Sequence, residues 1–318
     1  MSKRSKLPAE TNKFLYLLIL GFVFIASSAL VLSKKKVVEA VLQVVAPEVK
    51  QMSKEYPPLP KLSLNSTPFP IISAQAALVI DLDSMISLYE KNPDTPLLPA
   101  STTKIVTALV AMDYYSDDSI LTVDGLRIPG QTMGLVRGET LTAKSLLEGL
   151  LIYSANDAAE VLAENFAGGR SAFIQAMNTK AEDLKLINSH FENPTGFDNG
   201  THYSTARDLI RVSQVAMQNP RFARIVRIKE ETVTSVDGKT KHKLASTNQL
   251  LGLVPGVLGV KTGWTEEARE NLVTYLERDG HRVMFALLGS QDRFGETKEL
   301  INWIFTNYKW ERVTYPLE

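Results

Sequence analysis

The segment Phe14 to Leu32, FLYLLILGFVFIASSALVL, runs without a single charged residue and restricts this chain more than any other feature. Its length matches the roughly 20 apolar residues that a helix needs to cross a bilayer. The run is too uniform for an ordinary core helix, which keeps a polar face. Lys3, Arg4, Lys6 and Lys13 precede it, and Lys34, Lys35 and Lys36 follow. With basic residues on both flanks, the charge rule fixes no orientation. Cleavage after Ala26, Ser27 and Ser28 would make the run a signal peptide. Its length favours an uncleaved anchor over residues 14–33, behind a cytoplasmic tail of residues 1–13. The stretch Val37 to Val45 either continues the helix or lies on the membrane.

Beyond the anchor, Pro57, Pro58, Pro60, Pro68 and Pro70 fall within a short span that has little apolar periodicity. Such a composition suits an extended, semi-rigid spacer, placed at residues 34–73. From Ala74 the texture is that of a folded domain, expected to end near residue 310 and to leave a short tail at 311–318. AALVIDLDSMISLYEKN reads as two strands around a turn at Asp83 and Ser84. Apolar residues at Ile105, Ala108, Leu109 and Met112 then keep a helical period. Further helices are predicted over Ala143–Tyr153, Asp157–Asn165, Ser171–Leu184 and Thr205–Met217. Strand-like runs follow at Val257–Lys261, Leu272–Leu276 and Val283–Leu288, and a last helix at Thr297–Tyr308. Strands at both ends with helices between them predict an α+β domain, an antiparallel sheet from both chain ends covered by helices.

Composition removes several chemistries. The 35 basic residues equal the 35 acidic ones, which argues against nucleic-acid binding. There is no cysteine, so disulfides and thiolate nucleophiles are excluded. The four histidines, His190, His202, His242 and His281, show no zinc-type spacing, so neither metal nor other cofactor is expected. Any hydrolysis then falls to other side chains.

Three short motifs offer it. Ser101-Thr102-Thr103-Lys104 fits S-x-x-K, Ser154-Ala155-Asn156 fits S-x-N, and Lys261-Thr262-Gly263 is K-T-G. Each alone is weak. Ser33/Lys36 also fits the first pattern, and Ser63/Asn65 and Ser246/Asn248 fit the second. Context separates the copies. Ser101 stands where an apolar helical period begins, so free N–H groups and the helix dipole would stabilise negative charge there. Lys104 lies one turn on, on the same face, and a desolvated neutral lysine can take a serine proton. Ser33, by contrast, sits at the membrane edge among consecutive lysines.

Ser154 could relay a proton to a leaving amine, and the Asn156 amide could hold Lys104 and a substrate backbone. Taken singly, the pair reads first as a plain helix cap, with Ser154 or Asn156 closing the start of Asp157–Asn165. Lys261 and Thr262 close a strand-like run that could pair with an extended peptide, facing its terminal carboxylate. Gly263 would let the substrate backbone approach. The Trp264 N–H could join that of Ser101 as an oxyanion hole. The bland reading of K-T-G is a strand-end turn.

On these residues the chain resembles the low-molecular-weight penicillin-binding proteins, the D-alanyl-D-alanine carboxypeptidases of serine peptidase type. The likeness runs from about Ala74 to Tyr308 and includes LYEKNPDTPLLPASTTKIVTALVAMD, LTAKSLLEGLLIYSANDAAEVLAE, HYSTARDL and GVKTGWTEEARENLVT. The resemblance implies a β-lactamase/transpeptidase-like fold and an acyl-enzyme on Ser101 that releases the terminal D-alanine of a peptidoglycan stem peptide. It also implies covalent inhibition by penicillins and an extracytoplasmic domain on a single-pass membrane anchor. Arg293 is its candidate for the substrate carboxylate, with a surface charge as the alternative. The middle motif reads SAN where many members have SGN, and ENPTGF stands where members often have NPHGL. A D,D-endopeptidase would use the same residues. A class A β-lactamase would need a deacylating glutamate, for which Glu192 is the only comparable residue, and a non-catalytic wall-binding protein would tend to have lost one of Ser101, Lys104 and Lys261.

Overall fold

The computed structural model describes residues 9–45, 57–124 and 128–312. They fall into two units. The first is one helix, α1 (Ala9–Val45), which contains the apolar run and extends through Val37–Val45. It is the only helix among the described residues long and apolar enough to cross a membrane.

The second unit holds every motif copy except Ser33/Lys36. Its strands are β1 (Leu59–Leu62), β2 (Ala76–Asp81), β3 (Ser87–Lys91), β4 (Ile120–Thr122), β5 (Thr140–Thr142), β6 (Glu230–Thr234), β7 (Lys241–Ala245), β8 (Val257–Thr265), β9 (Arg269–Arg278), β10 (His281–Ser290) and β11 (Tyr308–Glu311). Its helices are α2 (Lys104–Tyr114), α3 (Ala143–Ile152), α4 (Asn156–Glu164), α5 (Gly169–Asp183), α6 (Ala206–Gln218), α7 (Pro220–Ile225) and α8 (Arg293–Asn307). The main sheet has the order β3-β2-β10-β9-β8, all antiparallel, so the first two strands of the sheet join the last three.

Alternation along these strands decides which layer each side chain enters. Ala76, Leu78 and Ile80 of β2, with Val273, Met284 and Ala286, face a core shared with α2 to α6. Ala77 and Val79, with Leu272, Val283, Phe285 and Leu287, face a second core under α8, built on Leu300, Ile301 and Ile304. Both faces are covered, and every residue of β2 is therefore buried. The β9–β10 hairpin closes through Asp279 and Gly280, both at positive φ. An Asp-Gly pair in that conformation matches the twist of the flanking strands.

The folded unit begins earlier than the proline-rich composition predicts. Residues 57–73 belong to it, not to a free spacer. Strand β1 pairs antiparallel with β11, Ser63 N–H donates to the Asn307 carbonyl (2.8 Å), and the Phe69 ring lies 4.3 Å from that of Trp303. Prolines are compatible with this because β1 is an edge of a two-stranded sheet and needs few N–H donors. The expected tails fall partly outside the described residues, as do positions 46–56 of the expected spacer.

Candidate active site

Three elements converge below the edge strand β8. A 3-10 turn, Ala100–Thr103, carries Ser101 into the start of α2. The junction between α3 and α4 carries Ser154 and Asn156, and β8 itself carries Lys261, Thr262, Gly263 and Trp264. Ser101, Ser154, Asn156, Thr262, Gly263, Trp264 and Arg293 together line a cleft of about 670 Å³.

Lys104 is fully buried beneath it. Its Nζ lies 2.9 Å from Ser101 Oγ, 2.7 Å from Asn156 Oδ1 and 2.6 Å from the Thr195 carbonyl. The Asn156 amide is oriented by its other end, where Nδ2 donates to the Pro129 carbonyl at 3.0 Å, so Oδ1 faces the lysine. Burial pushes Lys104 from its ordinary 10.5 down to about 7, although the carboxylates of Glu160 and Asp157 pull it the other way. Near neutral pH much of it is therefore the free amine.

Lys261 is equally buried, and its Nζ donates to Ser154 Oγ at 2.8 Å and to the Thr262 carbonyl at 2.9 Å. Burial lowers its pKa well below the ordinary value, helped by the cations of Lys104 and Arg293. Ser154 is not a helix cap. The cap position of α4 is Ala155, and Ser154 is held at φ +63 with its hydroxyl turned to Lys261. A non-glycine residue held at positive φ costs on the order of 1–3 kcal/mol and persists only where surrounding contacts fix it.

Strand β8 presses closely on the nucleophile's turn. A Cβ added at Gly263 would meet the Pro99 carbonyl at 2.9 Å and the Ser101 nitrogen at 3.1 Å. Only glycine fits there. Arg293, at the start of α8, donates from Nη1 to the Gly263 carbonyl at 2.9 Å, and its backbone N–H donates to Glu270. The structure thus places it against β8 and in the cleft.

The ENPTGF loop, which sequence reasoning left without a role, forms the far side of the Lys104 pocket. Asn193 Oδ1 accepts from Thr195 N–H, the Thr195 hydroxyl, Gly196 N–H and Phe197 N–H. One amide oxygen thereby folds the loop that presents the Thr195 carbonyl to Lys104. Gly196, at φ +86, packs so closely that a Cβ would run into the Ala100 carbonyl. His202 ties the loop to the 3-10 turn. Glu192 N–H donates to its Nδ1, so Nε2 carries the proton and donates to Thr103 Oγ1 at 2.8 Å. Burial holds His202 down to about 4, and it is neutral here. The Asn-Pro-x-Gly turn pattern was the available signal for this loop.

The duplicate motifs lie elsewhere. Ser33 and Lys36 are in α1, Ser63 is tied to Asn307, and Ser246 Oγ accepts from Asn248 N–H. Only Thr247, between Ser246 and Asn248, reaches the cleft, with its hydroxyl 2.7 Å from that of Thr262. Glu192 does not line the cleft. Its carboxylate accepts from the Thr201 hydroxyl and pairs with His190. The glutamate that a class A β-lactamase would need at this loop is therefore engaged elsewhere.

The sequence profile of the D-alanyl-D-alanine carboxypeptidases, peptidase family S11, matches residues 63–292. D-alanyl-D-alanine carboxypeptidase DacF of Bacillus subtilis (strain 168) is 32% identical over 254 residues, which cover 77% of this chain and 64% of that protein. D-alanyl-D-alanine carboxypeptidase DacB2 of Mycobacterium tuberculosis is 34% identical over 250 residues, covering 76% of this chain and 85% of that one. Among solved structures, the Streptomyces K15 DD-transpeptidase superposes with a TM-score of 0.70 at 31% identity, covering 76% of this chain and all of the other.

Proposed function

The chain belongs to the D-alanyl-D-alanine carboxypeptidase family, and from that premise we propose that Ser101 is the nucleophile of a serine D,D-carboxypeptidase acting on peptidoglycan stem peptides. One observation carries the assignment: a buried lysine amine within 2.9 Å of a serine hydroxyl, with two other acceptors beside it. A neutral amine has two N–H groups and one lone pair. Asn156 Oδ1 and the Thr195 carbonyl can only accept, so they take both N–H groups. The lone pair is left for the Ser101 proton.

In the proposed reaction Lys104 removes that proton, and Oγ attacks the carbonyl carbon of the penultimate D-alanine. The Ser101 and Trp264 N–H groups receive the oxyanion. Ser154, hydrogen-bonded to Lys261, passes a proton to the departing amine of the last D-alanine. Lys261, Thr262 and Arg293 receive the terminal carboxylate, and the substrate backbone lies along the free edge of β8 against Gly263. Water then hydrolyses the ester. Penicillins would acylate the same oxygen. The apolar helix α1 supports attachment to the bacterial membrane, and the location of the substrate puts the catalytic unit on the extracytoplasmic side.

The test is fluorescent-penicillin labelling of the full-length protein in detergent, wild type beside Ser101→Ala, followed by intact mass. A long-lived adduct on wild type alone, with D-alanine released from a D-Ala-D-Ala peptide, is the expected result. An adduct that clears within seconds would turn the reading towards a β-lactamase. No adduct and no D-alanine would leave a wall-binding protein on this fold.

A further inference from the structure

Residues 128–138 reach the cleft through Gly130 and Gln131, yet contain no helix or strand. A segment without a ladder of its own keeps its shape through outside partners. Carboxylates and a histidine supply several. Asp157 accepts from the N–H groups of Met133, Gly134 and Leu135, each at 3.0 Å, and Glu139 Oε2 accepts from Val136 N–H at 3.2 Å. His242 belongs to the β6–β7 hairpin, outside the main sheet, and is nonetheless buried, as is Glu139. Its Nδ1 lies 2.9 Å from the Met133 carbonyl and its Nε2 2.7 Å from Glu139 Oε1. A carbonyl can only accept, so Nδ1 carries a proton. Nε2 and the carboxylate share a second, since two facing lone pairs would repel. The Met133 peptide is thereby gripped on both sides, its N–H by Asp157 and its carbonyl by His242. Two residues back, the Gln131 carbonyl accepts from Asn156 N–H at 2.8 Å. Four back, the Pro129 carbonyl accepts from Asn156 Nδ2 at 3.0 Å, and that amide's Oδ1 takes an N–H of Lys104.

Resting on the reading of the site given above, we propose that His242 is a positioning residue for acylation: its Nδ1–H, on the Met133 carbonyl, holds residues 129–133 where they aim Asn156 Oδ1 at Lys104. It does not line the cleft and acts through the loop alone. When Met133 shifts, Pro129 shifts with it, and the Asn156 amide loses the acceptor that orients it. Lys104 then has an N–H without its partner and turns it towards Ser101 Oγ. An amine that donates to the hydroxyl cannot take its proton.

Two isosteres separate this role from plain support of the fold. The amide nitrogen of asparagine stands on Cγ, as Nδ1 does, and that of glutamine stands one atom further, as Nε2 does. His242→Asn therefore keeps the contact to Met133 and leaves Glu139 buried without its partner, whereas His242→Gln does the reverse. Both are made in the full-length protein in detergent, and acylation by a fluorescent penicillin at pH 7 is followed by stopped-flow beside thermal unfolding. An unpaired buried carboxylate costs more than an unpaired carbonyl, so H242N is expected to melt at the lower temperature. It nevertheless acylates within about threefold of wild type, while the more stable H242Q is slower by about tenfold or more. In an Asn156→Ala background, H242Q changes the rate by less than about twofold, because the group it acts through is gone. Acylation that follows the melting order, an H242Q rate equal to wild type, or the same loss in the Asn156→Ala background overturns the assignment. If H242N does not fold, the comparison in that background decides alone. Failure of the underlying reading looks different, with no adduct on wild type that depends on Ser101.

Discussion

If Lys104 is the base, acylation must follow its titration. A lysine at its ordinary value would be neutral in only about 1 molecule in 3,000 at pH 7, whereas one at about 7 is neutral in half of them. At pH 5 the neutral share of Lys104 falls to about 1 in 100. The second-order rate constant for penicillin acylation should therefore drop about fiftyfold from pH 7 to pH 5 and level off above pH 8. The wild-type profile would be recorded by stopped-flow with a fluorescent penicillin. Lys104→Arg keeps the charge and much of the length but cannot give up its proton. Its acylation should be slower by about a thousandfold at pH 7, the range expected when a general base is removed, and nearly independent of pH. A wild-type rate flat from pH 5 to 8, or an arginine variant within tenfold of wild type at pH 7, would refute the reasoning and pass the proton to another group.

The same burial has a stability signature. Because the folded pKa of Lys104 lies below the unfolded one, the unfolded chain binds more protons between about 7 and 10.5, and stability rises with pH there. In urea titrations, wild type should gain about 2 kcal/mol relative to Lys104→Met between pH 7 and pH 9. A constant difference would mean that the lysine is not desolvated. Asn193→Ala removes the acceptor of four hydrogen bonds, and should cost about 2–4 kcal/mol in urea and slow acylation more than about tenfold. Loss of stability with normal acylation would separate that loop from the Lys104 pocket. Gly196→Ala combines positive φ with a collision at the Ala100 carbonyl, so it should destabilise by at least about 2 kcal/mol and displace Ser101. Wild-type penicillin labelling of that variant would contradict the packing described.

The sequence announced those parts of the molecule whose patterns are local. Ser101 and Lys104 are one helical turn apart, and the apolar period from Ile105 already indicated that a helix would pair them. The apolar run Ala76–Ile80 of β2 and the Asp279-Gly280 turn were equally open to inspection. What stayed hidden depends on distant partners. Nothing near Pro60 shows that Trp310 will lie beside it in a ladder. The cap reading of Ser154 could be rejected only once Lys261, far along the chain, was seen to hold its hydroxyl. Asn193 drew no reading from the sequence beyond its place in ENPTGF, and the loop it folds matters because the Thr195 carbonyl faces Lys104.

The strand order also sets when the protein can act. Ser101 and Lys104 leave the ribosome well before β8, β9 and β10, yet their sheet cannot close until β10 docks beside β2. Until then no strand seals the lysine from water, and an exposed lysine stays protonated. On the proposed mechanism the nascent chain therefore carries a serine that cannot yet be acylated. Such long-range pairings form slowly. Reactivity arrives late and all at once, when the carboxyl-terminal strands fold back over residues made long before them.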